Sequence, residues 1–233
     1  MDVVAQKWCI WFGIVATVVL FIGLWPLMHF LPAPSPADSA AQIAGAYRSN
    51  SFGMLAGASL VLAASALYAP FLAAVSAQIE LMEGAGSPLA KSQFMLGLMA
   101  LSVPISITGL MWMTAAYRPE LPDNIIQLLN DLGWNAFFLP VIAGCVQAFG
   151  LAMAIFRDRS AEPAFPRWFG FFNIWYGIAL LPGGALAFFK TGPFALNGLF
   201  VFWLGAGAFG VWLVFVTPLL LKAADRQSRV SAS

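Results

Sequence analysis

Ser51–Ile79 reads SFGMLAGASLVLAASALYAPFLAAVSAQI, 29 residues without one charged side chain. A helix rises about 1.5 Å per residue, so about 20 residues cross the roughly 30 Å of bilayer hydrocarbon. An open strand of the same composition would leave its edge groups unpaired in lipid. The stretch is continuously apolar rather than alternating, which also speaks against a barrel strand. It is read as a membrane-crossing helix.

Runs of the same kind recur along the chain, at about Trp8–Leu31, Ser51–Ile79, Pro88–Tyr117, Gly133–Phe156, Arg167–Phe189 and Phe194–Leu221. The expected fold is all-α: a polytopic integral membrane protein in which residues 1–233 form one six-transmembrane-helix bundle. Composition agrees, with 61% hydrophobic and 9% charged residues. Soluble domains are about 45–50% apolar and about 25% charged. That excludes a soluble globular enzyme and a disordered chain. The net charge is +1, and no charge block could neutralise a polyanion, so nucleic acid is not an expected partner.

The connections fit the spans. Pro-rich Leu31–Pro36 ends the first. Ser87-Pro88 opens the third with a cap residue and a proline at the first helical position. Arg118-Pro119 closes it, and Lys190–Pro193 makes a tight turn between the fifth and sixth. The apolar run after Lys7 exceeds twenty residues, longer than the roughly 7–15 of a signal-peptide core. It is read as a retained helix.

Orientation follows from the basic residues. Lys7, Lys91, Arg157, Arg159, Arg167, Lys222, Arg226 and Arg229 fall on one side, and only Arg48, Arg118 and Lys190 on the other. Eight against three places both termini in the cytoplasm. A bacterial inner membrane is the expected location. Trp25, Trp112, Trp134 and Trp168 lie near span ends, where interfacial belts sit.

Small residues recur where helices are to pack. The fourth span carries Ala136, Pro140, Gly144, Ala148 and Ala152 at every fourth position. The fifth carries Gly170, Gly177 and Gly184, and the second Gly53 and Gly57. Close backbone approach through such faces drives association in lipid. Pro70, Pro104, Pro140 and Pro182 can kink their helices, and kinks make an internal pocket plausible. At Leu181-Pro-Gly-Gly184 the fifth helix is expected to end, with Ala185–Pro193 as an extended outer loop.

Chemistry-bearing motifs are sparse. His29 is the single histidine, so multi-imidazole metal and haem sites are excluded. No GxSxG elbow, P-loop or dinucleotide fingerprint is present. Cys9 and Cys145 sit apart in apolar runs and read as buried free thiols. No cofactor or metal is expected.

The polar candidates form two sets. Arg48, Arg118, Glu120, Asp123, Asp131, Asn135, Lys190 and Asn197 gather at the outer face. Asp131 and Asn135 share a helix face, and Pro122–Leu132 reads as a short amphipathic interfacial helix. Asp131 is the one weak candidate for a catalytic or proton-carrying acid. Arg48, Arg118 and Lys190 could hold an anionic head group. Deeper in the bundle are Gln147, Asn173, Tyr176, Ser102, Ser106 and Thr108, with Asn173 on the glycine face of the fifth span. The ligand-binding candidates are Arg48, Arg118, Asp131, Asn135, Asn173, Tyr176, Lys190 and Asn197. The plainer reading of each is an interhelical bond or an interfacial ion pair. No ionisable group lies mid-span, which argues against an ion-driven pump.

Three functions follow, in order. The first is a membrane binding protein or facilitator for a small apolar or amphipathic molecule such as a lipid, sterol or hydrocarbon. The second is an accessory subunit of a larger membrane complex. The third is an acid-catalysed lipid-modifying enzyme. Membrane lipids are expected partners in every case, and a homo-oligomer stays open.

Overall fold

The computed structural model describes residues 3–160 and 162–230. The side chains of Ser228, Arg229 and Val230 lie outside that description, Arg229 of the charge count among them. The described residues hold helices and no strand. Six helical segments are long and apolar enough to cross a membrane. They are spans 1 to 6: Val3–Leu27, Ser51–Glu83, Pro88–Tyr117, Asp123–Arg157, Arg167–Phe188 and Leu199–Gln227.

The local geometry of each span follows its prolines. Span 1 ends in a π turn, Gly23–Leu27, that contains Pro26. Proline cannot donate a backbone hydrogen bond, and the ladder there widens so that the Met28 N–H reaches Gly23 O at 3.1 Å. Span 3 widens into a second π turn, Leu98–Ser102, just ahead of Pro104. Its start is the expected one: the Ser87 hydroxyl accepts from the Ala90 N–H at 3.3 Å, with Pro88 at the first turn. Span 2 carries Pro70 without a break and stops at Gly84, whose φ of +100° suits glycine.

Besides shifts of four to six residues at the ends of spans 1, 2 and 6, three boundaries differ from the sequence reading. The amphipathic segment and the fourth span are continuous: one helix runs Asp123–Phe138, and the break falls at Leu139-Pro140 before a second helix, Val141–Arg157. The interruption belongs to Pro140, not to the change in polarity near Leu132. The α-helix of span 5 does stop at Leu180, ahead of Pro182. Leu181–Phe188 then tightens into a 3-10 helix rather than an extended loop, so the irregular connection starts only at Phe189. Span 6 begins at Leu199, through a π turn, and contains Pro218.

A further helix, Ala40–Ser49, lies in the first connection. A capping box starts it: Ser39 Oγ accepts from the Gln42 N–H at 3.4 Å, and Gln42 Oε1 accepts from the Ser39 N–H at 2.8 Å. Its Tyr47 face is buried against span 4.

Each span packs on its sequence neighbours, and span 1 also packs on span 6, closing a ring. Lys7 Nζ lies 2.5 Å from Asp225 Oδ1 and joins the two ends of the chain. The two chain ends therefore share one end of the bundle. The core is two stacked clusters. One centres on Phe30, Tyr47, Trp112 and Trp134, the other on Phe71, Phe169, Trp212 and Val216.

The small residues act as sockets. A Cβ on Gly177 would lie 2.6 Å from the Phe149 ring, and one on Gly170 2.8 Å from Phe156. Gly23 and Gly57 let spans 1 and 2 touch: a Cβ on Gly23 would come 2.9 Å from Gly57 O. The tryptophans divide. Trp25 and Trp168 are exposed, but Trp112 and Trp134 are buried, their rings 4.7 Å apart. They are core anchors rather than belt residues, because each packs into the other and onto Phe30. Cys145 is buried, its thiol donating to Gly177 O at 3.2 Å, whereas Cys9 is half-buried.

Candidate functional site

The centre of the ring is not filled. A cavity of about 170 Å³ lies between the two core clusters, and all six spans contribute to its wall. Span 1 supplies Thr17, Leu20, Phe21 and Leu24; span 2 supplies Tyr68 and Leu72. Span 3 supplies Gln93, Ala100, Leu101 and Ile105. Span 4 contributes from Trp134 to Leu151, across the Pro140 break. Spans 5 and 6 add Asn173, Tyr176, Leu180 and Gly183, and Val201, Phe202, Gly205, Ala206, Phe209 and Trp212. Proline and glycine account for the space. Pro140 bends span 4, the 3-10 turn after Leu180 carries Gly183, and Gly205 offers no side chain.

The wall is apolar, with a few polar groups in two states. Some are satisfied. Thr17 Oγ1 donates to Gly13 O at 2.9 Å, so its contact with Tyr68 Oη at 2.9 Å has the tyrosine as donor. Asn173 Nδ2 donates to Phe169 O at 2.7 Å, and its Oδ1 accepts from Trp212 Nε1 at 2.9 Å. That pair clamps span 5 to span 6 and fixes two wall residues. Others are unsatisfied. Gln93 is 2% exposed, and neither Nε2 nor Oε1 has a hydrogen-bond partner. Trp134 is equally buried, and its indole N–H has none. Native proteins leave few buried polar atoms unpaired; Gln6 Oε1, Gln78 Nε2, Ser102 Oγ and Thr217 Oγ1, all away from the cavity wall, share that state. Gln147 adds a second amide near Gln93. Its Nε2 lies over Gly97, 2.7 Å from where a Cβ would stand, one helical turn along from Gln93. Among the described residues, no Asp, Glu, Lys, Arg or His lines the cavity.

The cavity wall is thin at one place. Of the lining residues, only Phe21 and Ala206 have exposed side chains. Phe21 lies six residues before the end of span 1 and Ala206 seven after the start of span 6. Both are therefore about 10 Å in from the same end of the bundle. An outer groove of span 1, bounded by Val18, Ile22 and Trp25, shares Thr17 and Phe21 with the cavity.

Two of the eight ligand-binding candidates, Asn173 and Tyr176, are in the wall. The others lie outside it. Arg48 pairs with Asp123 at 2.8 Å and donates to Pro119 O and Leu121 O at 2.8 and 2.9 Å. It ties the helix Ala40–Ser49 to the start of span 4. Arg118 meets Glu120 at 3.7 Å and lies over the Tyr117 ring. Asp131 accepts from Asn130 Nδ2 at 3.1 Å and is within electrostatic reach of Lys190. Asn130, buried, in turn accepts from Tyr47 Oη at 3.2 Å. Burial, then the neighbouring Asp131 charge, pushes the Tyr47 phenol well above its ordinary value of 10.0. Asn135, Lys190 and Asn197 are not in the cavity wall. His29 is exposed, at a φ of 55° in the turn after span 1.

Gln93, Trp134 and Thr17 were not among the sequence candidates. Gln93 sits beside Lys91 and Ser92 near a span start, where a polar residue looks interfacial. The cue was its place within an otherwise apolar helical stripe through Gly97 and Ala100. A scan of the chain against known protein families, curated proteins and solved structures returned no match.

Proposed function

We propose that this chain is an integral membrane protein that binds, and exchanges with the bilayer, a small uncharged apolar or amphipathic molecule. The observation that carries the reading is the central cavity, to which all six spans contribute and whose apolar wall includes a few polar side chains, Gln93, Gln147 and Asn173 among them. Ligand sites are typically apolar clefts with a few convergent polar groups. A closed ring of helices built only to be stable has no need of such a space, since each void forfeits packing. The exposed Phe21 and Ala206 give a side route to the lipid. The excess of basic residues at the end holding both chain termini favours that end as the cytoplasmic one, in a bacterial inner membrane.

The acid-catalysis reading draws no support from the geometry, because Asp131 is not in the cavity wall. Native mass spectrometry of the gently released protein tests the proposal. The expected result is a stoichiometric small neutral molecule that survives delipidation. Release of bulk phospholipid alone, with a reproducible protein partner, would instead favour an accessory subunit.

A further inference from the structure

If the binding reading above holds, a bound molecule finds few polar groups that it can reach. Thr17 and Tyr68 bond to each other, and Asn173 to Phe169 O and Trp212. The Gln93 amide and the Trp134 N–H are unpartnered but sealed from the space. Gln147 and Tyr176 remain. Neither the Gln147 carboxamide nor the Tyr176 hydroxyl has a hydrogen-bond partner among the described residues, and neither is enclosed as Gln93 is. Gln147 shares a helix face with Gly144 and Leu151, and Tyr176 with Asn173 and Leu180, all in the wall. Their heights match. Gly177 O accepts from the Cys145 thiol at 3.2 Å, and the Phe149 ring lies against the same glycine. Gln147 falls between those two contacts in sequence, level with Tyr176 on the neighbouring span.

Two such groups at one height suit a partner that both donates and accepts. A hydroxyl donates to the Gln147 carbonyl oxygen and accepts from the Tyr176 O–H, whereas a bare carbonyl would leave Gln147 Oε1 without a donor. Among the described residues, no charged side chain lines the cavity, so an ionised group would be buried without a counter-ion. Volume sets the size. An apolar cavity of about 150 Å³ holds one benzene. At about 170 Å³ this one takes about six to eight non-hydrogen atoms, which excludes a sterol or a full acyl chain. We propose that the cavity binds a small neutral hydroxyl compound of that size, an alcohol or a phenol, its hydroxyl held between Gln147 and Tyr176.

The test uses the full chain in phospholipid nanodiscs, with empty nanodiscs to measure partition, so that each affinity refers to the probe dissolved in the lipid. Two probes of equal length, 5-bromo-1-pentanol and 1-bromohexane, differ only in ending on a hydroxyl or a methyl. Binding is read by bromine quenching of tryptophan fluorescence, with Trp134 and Trp212 in the wall. The bromoalcohol is expected to bind about tenfold more tightly, the worth of one or two buried hydrogen bonds. Tyr176→Phe keeps the ring and Gln147→Met keeps the length. Each should cut the preference to about threefold, and the double variant should abolish it. Retained 1-bromohexane binding shows that a variant is folded, and either single variant carries the test should the other misfold. Equal affinity of the two probes in the native protein would overturn the proposal. So would a preference that survives in the double variant or in both singles. Saturable quenching by 12-bromo-1-dodecanol would overturn it on size. Each of these results leaves the cavity as a binding site. Absence of saturable quenching by every probe would instead overturn the binding reading itself.

Discussion

At the residue scale the polar side chains of the bundle serve two purposes that only their partners distinguish. Tyr47, Asn130 and Asp131 form a chain of hydrogen bonds outside the cavity. Tyr47 is 2% exposed, and burial with the Asp131 charge holds its proton more tightly than in the unfolded chain. The linked stability is complete below the unfolded value near 10.0 and is lost as pH rises through the higher folded one. Tyr47→Phe removes that dependence and, by stripping the hydrogen bond to Asn130, costs about 1 kcal/mol at neutral pH. Thermal unfolding of both proteins from pH 8 to 11 should show the native protein losing its advantage above about pH 10. A constant gap would refute the assignment. In the sequence, Asn173 was legible as a polar residue on a glycine face. Asn130 was not, because it stands next to Asp131 and reads as part of the polar face of the amphipathic stretch Pro122–Leu132. Gln93 was masked in the same way by Lys91.

At the element scale the glycines were legible, and their partners were not. A seven-residue spacing on span 5 says that one face is bare but cannot say which ring fills it. The structure answers with Phe149 at Gly177 and Phe156 at Gly170. Gly177→Ala drives a methyl into the Phe149 ring and should cost about 1–3 kcal/mol. Phe149→Leu should cost stability alone, yet restore part of the loss in the double variant, a coupling that a thermal double-mutant cycle measures. Gly205→Ala meets nothing within 4 Å and should leave the unfolding temperature unmoved. The prolines were equally legible as interruptions. What they would produce depended on neighbours: a π turn near Pro26, a break at Pro140 and a 3-10 helix from Leu181. The helix Ala40–Ser49 had its signal in Ser39 and Gln42, outweighed by the prolines before it.

At the scale of the whole molecule, the bilayer itself makes the six spans legible, since hydrocarbon admits few alternatives to a long apolar helix. Their proposed sides rest on charge alone. Single cysteines at Ser160 and Thr191, both exposed, in a chain lacking Cys9 and Cys145, should report opposite sides. In intact cells an impermeant maleimide is expected to label position 191 and spare 160, and the reverse pattern would invert the topology. Ring closure was not legible, because nothing local pairs span 1 with span 6. On the proposed reading, that seam is where a molecule would reach the cavity. Lys7 and Asp225 hold it at the end carrying the termini. Toward the other end Phe21 and Ala206 face both the cavity and the outside. A route through this seam makes a kinetic prediction distinct from any effect on affinity. Ala206→Trp narrows the passage. It should slow association and dissociation of 1-bromohexane, followed by bromine quenching of tryptophan fluorescence in phospholipid nanodiscs, by the same several-fold factor, leaving the ratio of the two rates unchanged. A fall in affinity with unaltered association would mean that the tryptophan fills the cavity instead. Rates equal to those of the native protein would place the entrance elsewhere in the ring.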